Sequence, residues 1–253
     1  MVAIIRTQRR TAQPQIPVGI DWSNPLTRPL TDVVSPALWL GNRVPITQQT
    51  TTQFSTGFLK TPTPHGLGFV EPTFGAGVPD SLSSTFGDTS NDLGFVCALY
   101  IKDGSITNAN GMSFCRPSAG KGYSTTATTT ENFLYWINTA GERKLGFFGS
   151  WTNTTLEIGA VPNGLHVLAS CQGQNKAPLL FMDGALVATG AVETSYLYKN
   201  GLAYTSFDAA TLSSTGVGNV LLRARFGGVG AYNPAAYIEL TRNPWQIFSA
   251  GPK

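Results

Sequence analysis

Two carboxylates facing one cleft are the minimum equipment for hydrolysing a glycosidic bond. This chain offers few candidates. Glu71, Glu131, Glu142, Glu157, Glu193 and Glu239 each stand without a second acid at the short same-strand spacing of such a pair. Only a pair assembled by folding, such as Asp80 with Asp92, would serve. A nucleophilic triad has equally little to draw on. The histidines are His65 and His166, and no Gly-x-Ser-x-Gly elbow accompanies them. Cys97, Cys115 and Cys171 are too scattered for a zinc motif, and Cys97 and Cys171 sit in apolar runs as small core residues.

Two glycine-rich segments approach phosphate-binding patterns and miss them. In Ser118-Ala119-Gly120-Lys121-Gly122 the glycine expected ahead of the Gly-Lys step, with four residues between, is replaced by Cys115. Gly122 stands where Ser or Thr would hold magnesium. Gly227-Gly228-Val229-Gly230 follows a strand pattern but opens no helical one. The chemistry therefore points away from catalysis, and no cofactor is expected.

The elements that must position any site read as strands. Residues 93–101, 133–137 and 144–148 are rich in aromatic and β-branched side chains. Leu165, Val167, Ala169 and Cys171 alternate with His166, Leu168 and Ser170, and Val220, Leu222, Ala224 and Phe226 alternate with Leu221, Arg223 and Arg225. Residues 67–70 and 236–240 predict further short strands. The clearest local signal is Leu179-Leu180-Phe181-Met182-Asp183-Gly184-Ala185-Leu186-Val187-Ala188. Two apolar runs flank an Asp-Gly step that suits a type I′ hairpin. No helix of four turns is expected. Many strands without intervening helices predict an all-β, antiparallel sandwich.

The chain has 253 residues, enough for one sizeable core. Charged residues make up only 12% of it, and the net charge of +3 lies entirely in Arg6, Arg9 and Arg10, ahead of the first acid at Asp21. The remainder is balanced, which gives no support for a nucleic-acid-binding face. No apolar run is long enough for a membrane span. Pro14, Pro17 and a polar run resist regular structure over residues 1–20, predicting an extended arm there and a single domain over 21–253. Pro25, Pro29, Pro36 and Pro45 and a Thr/Gln-rich run from Thr47 to Thr52 make residues 21–64 a mixture of turns and short extended pieces.

The C-terminal stretch Tyr237-Ile238-Glu239-Leu240-Thr241-Arg242-Asn243-Pro244-Trp245-Gln246-Ile247-Phe248 and the early stretch Gly19-Ile20-Asp21-Trp22-Ser23-Asn24-Pro25-Leu26-Thr27-Arg28 together resemble the ends of tailed-bacteriophage and prophage proteins with a concanavalin A-like, laminin-G-like jelly roll. Gly164-Leu165-His166-Val167 followed by the Asp183-Gly184 hairpin is similar to that family's central strands. The resemblance implies a concanavalin A-like jelly-roll sandwich and a virion location. Its members are structural or carbohydrate-binding, so fold alone does not choose between them.

The resemblance also keeps open a calcium ion near Asp88, Asn91 and Asp92, whose ordinary role is turn chemistry. In physical terms Trp245, Ile247 and Phe248 are too apolar to hang in water and are expected to close the core. The first expectation for function is a capsid decoration or cement protein. Its partners would be the major capsid protein and further copies of itself, reached through Ile4, Ile5, Arg6, Arg9 and Arg10. The second is a fibre or spike module that binds a host glycan, with Tyr123, Trp151, Tyr196, Tyr198 and Tyr232 as candidate stacking aromatics. A glycan hydrolase comes last.

Overall fold

The computed structural model describes residues 11–15, 18–35, 52–54, 59–70, 81–86, 92–101, 112–118, 133–139, 142–148, 155–160, 162–173, 175–192, 201–206 and 218–249. Fifteen strands and a single α-helix are named among them. In chain order the strands are β1 (Leu30–Val34), β2 (Thr52–Phe54), β3 (Leu59–Thr63), β4 (Gly66–Val70), β5 (Ser81–Phe86), β6 (Asp92–Ile101), β7 (Met112–Ser118) and β8 (Phe133–Thr139). There follow β9 (Glu142–Phe148), β10 (Thr155–Ala160), β11 (Gly164–Gly173), β12 (Leu179–Met182), β13 (Ala185–Thr189), β14 (Gly201–Ser206) and β15 (Gly218–Gly227). The helix, α1, spans Pro234–Arg242.

The strands form two antiparallel sheets, as the alternating patterns predict. One runs β13-β12-β11-β6-β15-β4-β3, with β1 also paired to β15. The other runs β10-β9-β8-β7-β14-β5-β2. The fold is all-β and jelly-roll-like.

The first sheet is built on three ten-residue strands, β6, β11 and β15, paired along nearly their whole length. Alternation sorts their side chains cleanly onto two faces. Val96, Ala98, Val167, Ala169, Cys171, Leu222, Ala224 and Phe226 share one buried face. Phe95, Cys97, Leu99, Ile101, Leu168 and Ser170 lie on the other and are buried as well. Arg223 and Arg225 belong to this second set, 1% and 0% exposed. Alternation alone would allow them an open surface, but the strand sits at the middle of a covered sheet.

The Asp183-Gly184 step forms the expected hairpin between β12 and β13. Both residues have positive φ, 50° and 87°, as a type I′ turn requires. The prediction of a strand over residues 236–240 is overturned, because those residues lie within α1. Asn233 caps the helix by accepting the Ala236 N–H, and Pro234 occupies its first turn. Tyr237, Leu240 and Thr241, spaced three and four apart, form its buried stripe. An apolar run this short fits either period, and the Asn-Pro start settles it as a helix.

Helix α1 and the 3-10 turn after it (Pro244–Ile247) cover the first face of the sheet. Trp245, Ile247 and Phe248 are buried at 4%, 1% and 2% exposure, as their apolarity demanded. Phe248 then bridges to Ile20, and the Ser249 N–H donates to the Gly19 carbonyl at 2.9 Å, tying the two ends of the described chain together. Within residues 11–15, Gln13 and Pro14 are buried on the domain. Gln13 is 3% exposed, its amide donating to the carbonyls of Leu67 and Leu221 and accepting the Leu67 N–H. Among the described residues no helix is long and apolar enough to cross a membrane.

Helix α1 approaches the sheet closely at Gly94. A Cβ there would fall 1.6 Å from the Tyr237 hydroxyl oxygen, which donates to the Ala231 carbonyl at 2.6 Å. Gly94→Ala should therefore cost about 3 kcal/mol, through overpacking and a broken buried hydrogen bond. Gly19→Ala, whose Cβ would meet only the Ser249 hydroxyl at 3.7 Å, should fall within about 0.5 kcal/mol of the parent. Urea unfolding of both variants checks the pair.

Candidate functional site

Trp22 is 52% exposed, the only described aromatic among the large exposed apolar side chains. It stands in a turn made rigid by its neighbours. The Asp21 N–H donates to the Ile247 carbonyl at 2.8 Å, and the Trp22 N–H to the Ile20 carbonyl at 3.1 Å. Asp21 Oδ1 accepts both the N–H and the hydroxyl of Ser23. Asn24 is buried. Its Oδ1 caps the short 3-10 turn (Pro25–Thr27) by accepting the Leu26 N–H, and its Nδ2 donates to the Gln246 carbonyl at 2.9 Å. The Thr27 hydroxyl lies 2.8 Å from the carbonyls of both Asp21 and Asn24. Asp21, Asn24 and Thr27 thus hold the backbone of the turn, and the indole is its large apolar group facing out.

This turn feeds β1 at the end of the sheet where β6 begins and β15 finishes. The Gly227 N–H donates to the Pro29 carbonyl, and the Gly228 N–H to the Asp92 carbonyl. Val229, at the tip of the next loop, is 95% exposed. Asp92 and Lys176 meet at the same end, with Lys176 Nζ 2.8 Å from each carboxylate oxygen. The ammonium also lies 4.9 Å from the centroid of the Tyr232 ring, a cation–π arrangement. The Tyr232 hydroxyl donates to the Ala177 carbonyl at 2.7 Å.

Burial, followed by the nearby Cys171 and Asp92, raises the Tyr232 hydroxyl above its usual pKa. Burial likewise holds the Cys171 thiol far above the thiolate range, so it is no nucleophile at neutral pH. The arrangement orders a loop. It offers neither an acid–base pair nor a free carboxylate, since Asp92 already holds a cation. No group of three or more His, Cys, Asp or Glu side chains suited to a metal occurs among the described residues. The expected calcium partners Asp88 and Asn91 lie outside the described residues.

Of the sequence candidates, Tyr232 is partly buried as a loop anchor, its ring engaged by Lys176 and its hydroxyl by the backbone. Tyr123, Trp151, Tyr196 and Tyr198 lie outside the described residues, as do Ile4, Ile5, Arg6, Arg9 and Arg10. Trp22 was not among the aromatics singled out by sequence. The signal was there: an indole inside Asp-Trp-Ser-Asn-Pro sits in turn chemistry, and turns lie at the surface.

His166 occupies the opposite end of the sheet. Its Nδ1 lies 2.7 Å from Asp183 Oδ2 and its Nε2 3.0 Å from the Pro162 carbonyl. Asp183 Oδ1 accepts the Val167 N–H, and the Asp183 N–H donates to the Val167 carbonyl. The ring thus clips the β12–β13 turn onto β11. Both partners accept, so only the imidazolium satisfies both contacts. The Asp183 hydrogen bond raises the His166 pKa above 6.5 against the opposing effect of burial. Through these bonds the pair acts as a fastening.

No protein-family model matches the sequence, and no curated protein matches it. Solved structures do resemble it in fold. The receptor-binding domain of botulinum neurotoxin D superposes with a TM-score of 0.55 at 7% identity, covering 85% of this chain and 53% of that one. The binding domain of Paraclostridial Mosquitocidal Protein 1 gives 0.54 at 9% identity, with coverage of 85% and 52%. A Trypanosoma rangeli sialidase in complex with sialic acid gives 0.52 at 9% identity, covering 83% and 32%. The chain thus spans about half the length of the two binding domains and about a third of the sialidase chain. At these identities the likeness establishes the β-sandwich fold.

His166 makes a stability prediction. A raised pKa in the folded state means that its contribution is complete below the unfolded value of about 6.5. The contribution is lost as pH rises through the higher folded value. Urea unfolding should therefore show stability falling above pH 6.5. His166→Gln should remove that dependence and cost about 2 kcal/mol at pH 6, the worth of a charge-assisted hydrogen bond. An unchanged pH profile in the variant would show that the fall has another source.

Proposed function

We propose that this protein is a non-catalytic binding module of a tailed-phage particle, and that the turn bearing Trp22 docks a glycan on the host surface. The observation that carries the reading is the half-exposed indole on a turn whose backbone is already held by Asp21, Asn24 and Thr27. An aromatic face of this kind suits the apolar face of a pyranose ring and loses little entropy on binding, because the turn is already ordered. The β-sandwich is shared with structures named as a receptor-binding domain and a binding domain, which supports a binding role by analogy of fold, and it is shared with a sialidase as well. The virion assignment rests on the resemblance of residues 19–28 and 237–248.

Capsid decoration, the first expectation from sequence, becomes the second reading. It draws on the low charge of the chain, which favours close packing against other subunits, and on Arg6, Arg9 and Arg10 as contacts to a shell protein. What lowers it is the inner part of the expected arm. Gln13 and Pro14 are buried on the domain itself, so they are not offered to a partner.

Binding to host-envelope polysaccharides, followed by Trp22 fluorescence and by retention on immobilised glycan, tests the proposal. Trp22→Ala should weaken binding at least thirtyfold, the loss of a hot-spot aromatic of about 2 kcal/mol. Its unfolding midpoint should stay unchanged. Full retention by the variant would overturn the glycan reading. Particle association lost on deleting residues 2–10, with glycan binding absent in the parent, would favour decoration.

A further inference from the structure

We infer that the Gln13 side chain is a removable pin, and that the β3–β4 hairpin is a flap which it holds shut against β15. The edge of β15 that faces away from β6 is shared by two strands. β1 lies along it from Leu30↔Phe226 to Val34↔Arg223, and β4 meets it at Val220↔Phe69. Leu221 falls at the junction. The register against β6 steps there, from Val220↔Leu99 to Leu222↔Ala98, so Leu221 is the extra residue of a bulge. A bulge interrupts the ladder, and the backbone groups beside it must be satisfied by other means.

Gln13 satisfies them. Its Nε2 donates to the Leu67 carbonyl at 2.6 Å and lies 3.2 Å from the Leu221 carbonyl, while its Oε1 accepts the Leu67 N–H at 2.6 Å. The side-chain amide thus gives Leu67 the donor and the acceptor that a residue of an opposing strand would give. Leu67 and Phe69 are two apart, so their backbone groups point to the same side of β4. Gln13 therefore continues toward Leu67 the ladder that β15 begins at Phe69. The Ser35 hydroxyl, just after β1, lies 2.9 Å from the same Leu221 carbonyl and closes the junction from its other side. The seat is shaped for the amide. Gly66 has a φ of 126°, and a Cβ on it would fall 2.1 Å from Gln13 Oε1. Gln15 Nε2 donates back to the Gln13 carbonyl at 3.1 Å.

The hairpin is a closed unit. Leu59 to Thr63 pair with Val70 to Gly66 in unbroken register. The Thr63 hydroxyl donates to the Gly66 carbonyl and accepts the His65 N–H, which holds the turn. Among the described residues its ladder to β15 is the Val220↔Phe69 pair, and at its tip the His65 ring lies 5.5 Å from that of Tyr100. A unit bonded more fully within than to its neighbour is one that opens as a whole while the long strands stay paired. Residues 1–10 run directly into the seat. A partner that draws the chain off Leu67 therefore also frees the flap, and whatever holds the flap shut holds the chain in place, because such coupling is reciprocal.

Amide hydrogen exchange on the full chain tests this. In Gln13→Ala the amides of residues 59–70 should exchange at least about tenfold faster than in the parent, while those of β11 keep their protection. Gln13→Glu separates the hydrogen bonds from the mere filling of space. As a carboxylate at pH 7 it sets its charge against the Leu67 and Leu221 carbonyls and should open the flap. Once protonated, near pH 4, its O–H and C=O restore both bonds to Leu67, and protection should return to that of the parent at the same pH. The pH comparison still decides the matter if Gln13→Ala does not fold. Unchanged exchange over residues 59–70 in Gln13→Ala, an equal acceleration over β11, or a Gln13→Glu chain with the same protection relative to the parent at both pH values would each overturn the inference.

Discussion

Strands β6, β11 and β15 bury both of their faces, and a two-sheet sandwich can cover only one. This constraint organises the rest of the molecule. Leaving Val96, Ala98, Val167, Ala169, Leu222 and Phe226 open would expose a continuous apolar face. The chain answers with its own C-terminal segment. Helix α1 lays Tyr237 and Leu240 across that face, and Trp245, Ile247 and Phe248 complete the cover. The fit is close enough that Gly94 must be glycine, because the Tyr237 hydroxyl occupies the place of its Cβ. The Tyr237 ring stacks on Phe181 and meets Phe226 edge-on, which ties the helix to strands on both sides of β6.

Once the C-terminal segment is laid down, the N-terminal turn has its platform. Phe248 bridges to Ile20, and the Gln246 and Ile247 carbonyls accept from Asn24 and Asp21. The backbone of the turn is fixed by a segment that is itself fixed by the core. Trp22 therefore faces outward by construction, while Asp21, Asn24 and Thr27 hold the backbone around it. A site assembled in this manner does not have to order itself when a ligand arrives.

Much of this was legible in the sequence. The Asp183-Gly184 hairpin, the long strands of the first sheet and the burial of the C-terminal aromatics all follow from turn chemistry, period-two alternation and apolarity. Three features resisted for different physical reasons. Residues 236–240 fit a strand or a helix by pattern alone, and the Asn233 cap and Pro234 decide for the helix. Arg223 and Arg225 alternate like surface residues, and only the central place of β15 in the sheet reveals their burial. Trp22 could be placed in a turn from its neighbours, but its outward direction depends on contacts with Gln246 and Ile247, more than two hundred residues away. Local pattern does not report such contacts.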